Sequence, residues 1–454
     1  MASQTRPTRA LVVGAGIAGL LSARALADHV DEVVVLERES LRDTAEPRGH
    51  VPQGKHLHLF LAAGLHQLVA WFPGIDDELQ SLGAVRLDGS QAWLFQAGGY
   101  RVRGDWGVTV LSMTRPLLEG VVRRRVGGLA NVTIRDGVPV QRVTVAGDTV
   151  TGVGLEEGEQ RADLVVDASG RSSRIAQQLE ASGVLAPPVS RVSIDCAYAS
   201  RFLSRSADDF EGSFLACATT PPTSYRGGVV LPVEGGRWMV TLAGVHGDVP
   251  PTDELGFRDF AGSLLSPTVG QLLDRCEPTS PIVAYRFPSS QRRHFERAPR
   301  LLSRFVSVGD AACSFNPVYG QGMACAALQA AALGEVLGTV GTGSAELPRL
   351  FHRRAAKIID APWAIAVGAD FLHPQTAGPK PRGTDLANRY VMNLARGTHV
   401  SLPLARTFNL VLNLVEPTSA LLRPRTVARV LRTYRRSPAL TGEALEHPWV
   451  APRR

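Results

Sequence analysis

The apolar pattern opens with a short run, Ala10–Val13, that passes directly into Gly14-Ala15-Gly16-Ile17-Ala18-Gly19. Leu20, Leu21, Ala23, Ala25 and Leu26 then supply the apolar content of a helix, and Glu32–Leu36 returns as a second strand ending in Glu37. Short continuous apolar runs bounded by turn residues predict buried strands. Two more occur at 161–171 and 305–310, each running into a turn. Ser190–Leu203, Gly227–Pro232 and Arg237–Val245 alternate instead, which predicts strands of an antiparallel sheet. Asp253–Leu265 reads as a capped amphipathic helix and Leu347–Leu372 as a long one. Asp385–Arg436 reads as further helices broken at Pro403, Pro417 and Pro424, expected to pack on the back of the scaffold.

Composition narrows the class. With 454 residues, 44% hydrophobic and 20% charged, the chain can build two or three packed modules, which excludes disorder and fibrous repeats as its theme. The net charge is +7, but the arginines are scattered apart from groups such as Arg123–Arg125 and Arg432, Arg435 and Arg436, without the interleaved aromatics of a nucleic-acid surface. No nucleic-acid partner is expected. The five cysteines, Cys196, Cys217, Cys276, Cys313 and Cys325, form an odd set without a CxxC pair, and no leader pattern opens the chain, so a reducing cytoplasm is the expected compartment. The apolar stretch Met323–Leu337 contains Gln329 and Glu335 and falls short of the roughly 20 residues a bilayer span needs. Phe408–Leu422, followed by Arg423, Arg425 and Arg429, has the make-up of a surface-bound helix, which leaves peripheral membrane contact open. His56 and His58 lack a third and fourth ligand of suitable spacing, so no metal is expected, and Ser172-Ser173 lacks a nucleophile-elbow context.

Strand, GxGxxG, helix, strand, acid is the order of a dinucleotide-binding unit. Gly14 permits the tight turn, Gly16 lets backbone approach a pyrophosphate at the helix N-terminus, and Gly19 lets helix and strand pack closely, while Glu37 takes a ribose hydroxyl. The fingerprint does not separate NAD from FAD. Downstream, Gly309-Asp310 follows a strand, and Asn316-Pro317-Val318-Tyr319-Gly320-Gln321-Gly322-Met323 opens an alanine-rich helix, a turn suited to an anion or to a ring that becomes anionic.

Together these segments resemble the FAD-dependent monooxygenases of the aromatic hydroxylase and squalene epoxidase type, over most of the chain. The resemblance implies an α/β fold: a Rossmann-like FAD-binding domain of glutathione-reductase type (1–75, 105–180 and 285–345), a β-sheet substrate domain (76–104 and 181–284) and a C-terminal helical region (346–454). It implies that Gly14, Gly16, Gly19 and Glu37 hold the ADP part of FAD and Asp310 the ribityl chain. Pro317, Gly320, Gly322 and Met323 would lie along the isoalloxazine, with the backbone of Gly320, Gln321, Gly322 and Met323 near the flavin. The arginine of Arg115-Pro116-Leu117-Leu118-Glu119 would meet the FAD, Val140 would lie beside the adenine, and Ala18, Arg38, Arg48, Ala168 and Gly309 would complete the set. Within the family, Arg48-Gly49-His50-Val51-Pro52-Gln53-Gly54-Lys55-His56-Leu57-His58 and the 316–323 segment look most like bacterial polyketide epoxidases of polyether-antibiotic pathways, the lasalocid epoxidase among them. The aromatic hydroxylases' Asp-Gly signature is replaced by Asp167-Ala168-Ser169-Gly170-Arg171, so electrons would come from NAD(P)H directly or through a separate flavin reductase.

The implied activity is transfer of one oxygen from a C4a-hydroperoxide of the reduced flavin to an olefin of a small hydrophobic substrate. Trp93, Phe95, Tyr100, Tyr198 and Trp238 are candidate pocket walls, and no side chain is nominated as an acid or base, because the cofactor carries the chemistry. A decalin-forming cyclase that keeps FAD without redox use stays open as an alternative, with an aromatic hydroxylase or a halogenase behind it. Against halogenation stand the lack of a WxWxIP segment and of a clear halogenating lysine, Lys55 being the only lysine in the first half.

Overall fold

The computed structural model describes residues 8–436 apart from 43–47, 50–51, 184–185, 207–208, 210–213, 220 and 222, so His50 and Val51 of the epoxidase-like segment and the end of the C-terminal region lie outside the described residues. Among those residues a parallel sheet takes the order Phe305–Ser307, Leu164–Asp167, Arg9–Val13, Glu32–Leu36, Val132–Arg135. Its strands are nearly all apolar because helices and a small antiparallel sheet cover both faces. The helices Ile17–Ala27, Arg115–Gly127 and Gly322–Val340 pack on one side. The last is 19 residues long and apolar enough to cross a membrane by length and composition, but most of it is buried in the protein core.

The second unit is a mixed sheet in the order Cys313–Ser314, Val283–Arg293, Val189–Ser204, Arg237–Val245, Arg226–Val233, Phe214–Cys217, Ala92–Gln96, Gly99–Tyr100. Its long central strands are antiparallel as their alternation predicts, whereas Phe214–Cys217 pairs parallel with Ala92–Gln96 and so joins segments more than a hundred residues apart. The predicted helix after Asp253 spans Glu254–Gly262, with the Asp253 carboxylate accepting from the Gly256 N–H at 2.8 Å. All five cysteines are free thiols and buried.

The long C-terminal helix Leu347–Asp370 packs on Gly322–Val340. Thr384–Gly397, Leu402–Leu412 and Pro424–Arg436 follow, with Pro403 and Pro424 in first turns, where a missing N–H costs nothing. These three do not sit on the back of the scaffold. They close on the edge of the mixed sheet: Val102 N–H donates to the Thr398 carbonyl, His399 Nε2 lies 2.8 Å from the Gln96 carbonyl, and the Arg101 guanidinium stacks between Trp106 and Phe408 at 5.0 and 5.1 Å. Phe408, Val411, Ala420 and Leu421 of the apolar run are thereby buried against Leu394, Leu404 and Val430, leaving Val415 and Leu422 exposed.

Candidate functional site

The turn after the first strand is built from glycines that do different jobs. Gly14 has φ +104°, and a Cβ there would stand 2.7 Å from the Ala168 carbonyl oxygen, so the ends of the paired strands Arg9–Val13 and Leu164–Asp167 approach through it. A Cβ on Gly19 would drive into the Gly14 carbonyl, which makes Gly19 a packing residue of the helix. Gly16 differs from both. Its φ is −77°, and a Cβ would meet only Arg48 Nη2 at 3.7 Å and Arg115 Nη2 at 4.0 Å, so the Gly16 backbone faces open space bracketed by two guanidinium groups. That donor set, together with the positive end of the helix, fits a pyrophosphate.

The arginines are held by buried carboxylates. Glu119 accepts from Arg115 Nε at 2.7 Å and Arg48 Nη2 at 2.9 Å, and Arg48 Nη1 lies 3.1 Å from Glu37 Oε2. Burial works to raise the Glu119 carboxyl, yet the guanidiniums of Arg115 and Arg48 together outweigh it and hold the group below the usual carboxylate range. Glu37 Oε2 also accepts from the Ala15 N–H at 2.8 Å and Oε1 from the Glu39 N–H at 3.1 Å, so the acid that closes the second strand fastens the glycine turn and keeps lone-pair capacity on Oε1.

Gly309, with φ +59°, brings the Asp310 turn against the first helix; a Cβ there would stand 2.6 Å from Ala18 Cβ. Its N–H donates to Gln329 Oε1 of the buried helix at 3.2 Å. Asn316 caps the turn Pro317–Tyr319 by accepting the Val318 N–H at 3.2 Å, and Gly320, at φ +65°, closes it before the helix starts at Gly322. Asp167 points inward, its pKa raised by burial against hydrogen bonds from Ser169 and Ser173 that pin the turn to Arg171. Arg171 is held over the Phe287 ring at 4.6 Å by bonds to Ser289 and Ser314.

These elements line one continuous cleft of about 560 Å³. It brings together Gly14, Gly16, Ala18, Glu37, Arg38, Arg48, Arg115, Val140, Ala168, Gly309, Asp310, Pro317, Gly320, Gln321, Gly322 and Met323; Gly19 lies behind it in the helix packing. From Gly16 and Glu37 the cleft continues past Asp310 to the 315–323 turn, which leaves room for the second half of a dinucleotide. Sequence reading missed Arg171, Tyr285, Phe315 and Asn316 as lining residues. Arg171 and Asn316 stand inside motifs already quoted. Tyr285 has no local signal and arrives only through sheet pairing with Tyr198.

The five aromatic positions separate by face. Phe95, Tyr100 and Trp238, with Trp93 against them, fill a core with Phe257, Phe260 and Leu272 from the helices that cover one face of the mixed sheet; none of the four lines the cleft. Tyr198 lies on the opposite face, its ring near-parallel to Tyr285 at 6.3 Å, and its hydroxyl donates to Asn316 Oδ1 at 3.1 Å. His56, 5% exposed, sits beside both rings; Nδ1 lies 2.8 Å from Ser200 Oγ, and burial followed by the nearby Lys55 charge lowers its pKa to about 4, so it is neutral. His58 lines the cleft. Among the described residues, no group of three or more His, Cys, Asp or Glu could hold a metal ion.

The chain is 33% identical over 393 residues to Protein Rv3254 of Mycobacterium tuberculosis, covering 82% of each. Its fold is similar to that of the flavin-dependent brominase Bmp2 (TM-score 0.65, 13% identity, 95% of this chain and 100% of the other). It is also similar to Pseudomonas aeruginosa PqsL in complex with 2-aminobenzoylacetate (0.62, 17%, 89% and 99%) and to tetrameric 2-methyl-3-hydroxypyridine-5-carboxylic acid oxygenase (0.59, 18%, 89% and 98%). A family model described as FAD binding domain matches residues 7–357, and the chain belongs to that family, the flavoprotein monooxygenases of aromatic hydroxylase type.

Proposed function

We propose that the protein is an FAD-dependent monooxygenase that places one oxygen atom of dioxygen on an olefin of a polyketide-type intermediate, giving an epoxide. The observation that carries this reading is the continuity of the cleft, whose one end is the glycine fingerprint and whose other end is a glycine-rich turn opening a buried helix. Bound FAD supplies the two-electron chemistry and the reaction with dioxygen, with NAD(P)H as donor directly or through a separate flavin reductase. The chain's own part is position and field. Gly16, Arg48 and Arg115 hold the pyrophosphate, Glu37 and Asp310 accept hydroxyls, and the backbone of 320–323, which lines the cleft, supplies the field that meets the negative charge of the reduced ring. The buried sheet face around Tyr198 and Tyr285 keeps water from the reacting edge. Lys55 is exposed and outside the cleft lining, which favours oxygen transfer over halogenation.

The test is anaerobic reduction of the flavin, by NADPH or through an added reductase, followed by exposure to oxygen-18 gas with candidate polyenes. Label recovered as an epoxide supports the proposal. Full conversion with oxidised FAD, without oxygen and without mass gain, overturns it in favour of the non-redox cyclase.

A further inference from the structure

Asp370, the last residue of the long C-terminal helix, is 1% exposed and lies beneath the turn at the far end of the cleft. Its Oδ1 accepts from Asn316 Nδ2 at 2.9 Å and from the Tyr319 hydroxyl at 3.3 Å, while Oδ2 has no hydrogen-bond partner among the described residues. An ionised carboxylate can only accept, so it obliges Asn316 to turn its amide nitrogen toward Asp370 and its oxygen toward the Val318 N–H and the Tyr198 hydroxyl. The orientation of that one amide sets the cap of the Pro317–Tyr319 turn, whose following residues line the cleft. Asp370 therefore acts on the turn through two side chains without touching the cleft itself.

The surroundings add no compensating charge. Facing the carboxyl are Tyr319 from the turn and Cys196 and Tyr198 from the mixed sheet, all held neutral by burial. His373 follows on its own segment and is neutral, its pKa lowered to about 4 by burial and then by the neighbouring His246. His246, its pKa lowered by burial, lies 3.3 Å from the Thr376 hydroxyl, which donates at 2.6 Å to the main-chain carbonyl of Asp370 rather than to its carboxyl. Among the described residues no arginine or lysine pairs with the carboxylate. Desolvation consequently pushes it up to about 7, with the Asn316 and Tyr319 hydrogen bonds opposing.

We infer that Asp370 is a positioning residue of the flavin site, fixing the 316–320 turn through Asn316 and Tyr319, and that it takes up one proton when the flavin is reduced. The inference rests on the reading that the isoalloxazine lies against this turn. Two-electron reduction to the anionic flavin consumes one proton and adds a negative charge. A second negative charge buried behind the turn then becomes less favourable, so the carboxylate binds a second proton, two protons per two electrons in all.

The experiment is potentiometric titration of the FAD-loaded protein, with dithionite as reductant and mediator dyes, at a series of pH values from about 5 to 9. In the wild type the midpoint potential should fall with pH about twice as steeply in the neutral range as in Asp370→Asn, whose slope should stay at one proton per two electrons throughout. Equal slopes in two FAD-loaded proteins overturn the inference. Should Asp370→Asn fail to hold FAD, Tyr319→Phe decides: removing one hydrogen bond to the ionised form should move the steep window to higher pH, and an unmoved window overturns the assignment. A steep wild-type slope without oxygen transfer to any olefin would sink the proposed reaction and leave the role of Asp370 standing.

Discussion

The three glycines of the fingerprint should part company when each is given a side chain. In Gly16→Val the new Cβ meets nothing closer than 3.7 Å and the backbone sits at φ −77°, so the folded apoprotein accommodates it. The expected cost is that of a poor N-cap residue, about 1 kcal/mol. The same side chain occupies the space where backbone N–H groups meet a pyrophosphate. Losing two hydrogen bonds to a charged group, at about 1.5–3 kcal/mol each, weakens FAD binding by about 3–6 kcal/mol, or roughly 10²- to 10⁴-fold. Gly14→Ala is the converse. It combines φ +104° with a Cβ 2.7 Å from the Ala168 carbonyl, and the fold itself should lose about 2–4 kcal/mol. Fluorescence titration of apoprotein with FAD gives the first quantity and denaturant unfolding of apoprotein the second. The reasoning is refuted if Gly16→Val binds FAD within threefold of wild type, or if it destabilises the apoprotein as much as Gly14→Ala does.

Asp310→Ala should weaken FAD affinity by about 1.5–3 kcal/mol, read as the dissociation constant; unchanged affinity with lost turnover would make Asp310 catalytic instead. Glu119→Ala leaves two guanidiniums without their shared buried partner, although Arg48 keeps Glu37, so a loss of about 3 kcal/mol in unfolding free energy is expected at neutral pH. Because the Glu119 pKa is lowered in the fold, its contribution is fully present above the unfolded value near 4.3 and disappears as pH falls through the folded one, so the wild type and variant curves should converge in acid. Asp370 has the opposite sign. Its raised folded pKa makes the wild type lose stability as pH climbs from about 4 to about 7, and Asp370→Asn should flatten that limb of the stability-pH curve.

The parts of this protein legible in its amino-acid order are those whose physics is local. The fingerprint from Arg9 to Glu37 is contiguous, and its strand, turn, helix and returning acid appear as read. Arg237–Val245 matches its predicted strand end to end, and Ser190–Leu203 lies one residue inside the observed strand at each end, because alternation with period two is imposed by the pleat itself. Alternation does not say which face meets the cofactor. In sequence Trp93, Phe95, Tyr100 and Trp238 can be either pocket wall or ordinary core, and the register places them on the face covered by the helices at 254–275, one residue out of phase with Tyr198. The same limit hid the packing of the C-terminal helices, whose apolar stripes show that they pack but not against what. Asp370 is the extreme case. Nothing around it in the chain distinguishes it from an ordinary helix-terminal acid, and its role exists only because tertiary packing sets it beneath Asn316 and Tyr319, more than fifty residues away, in surroundings too dry to solvate its charge.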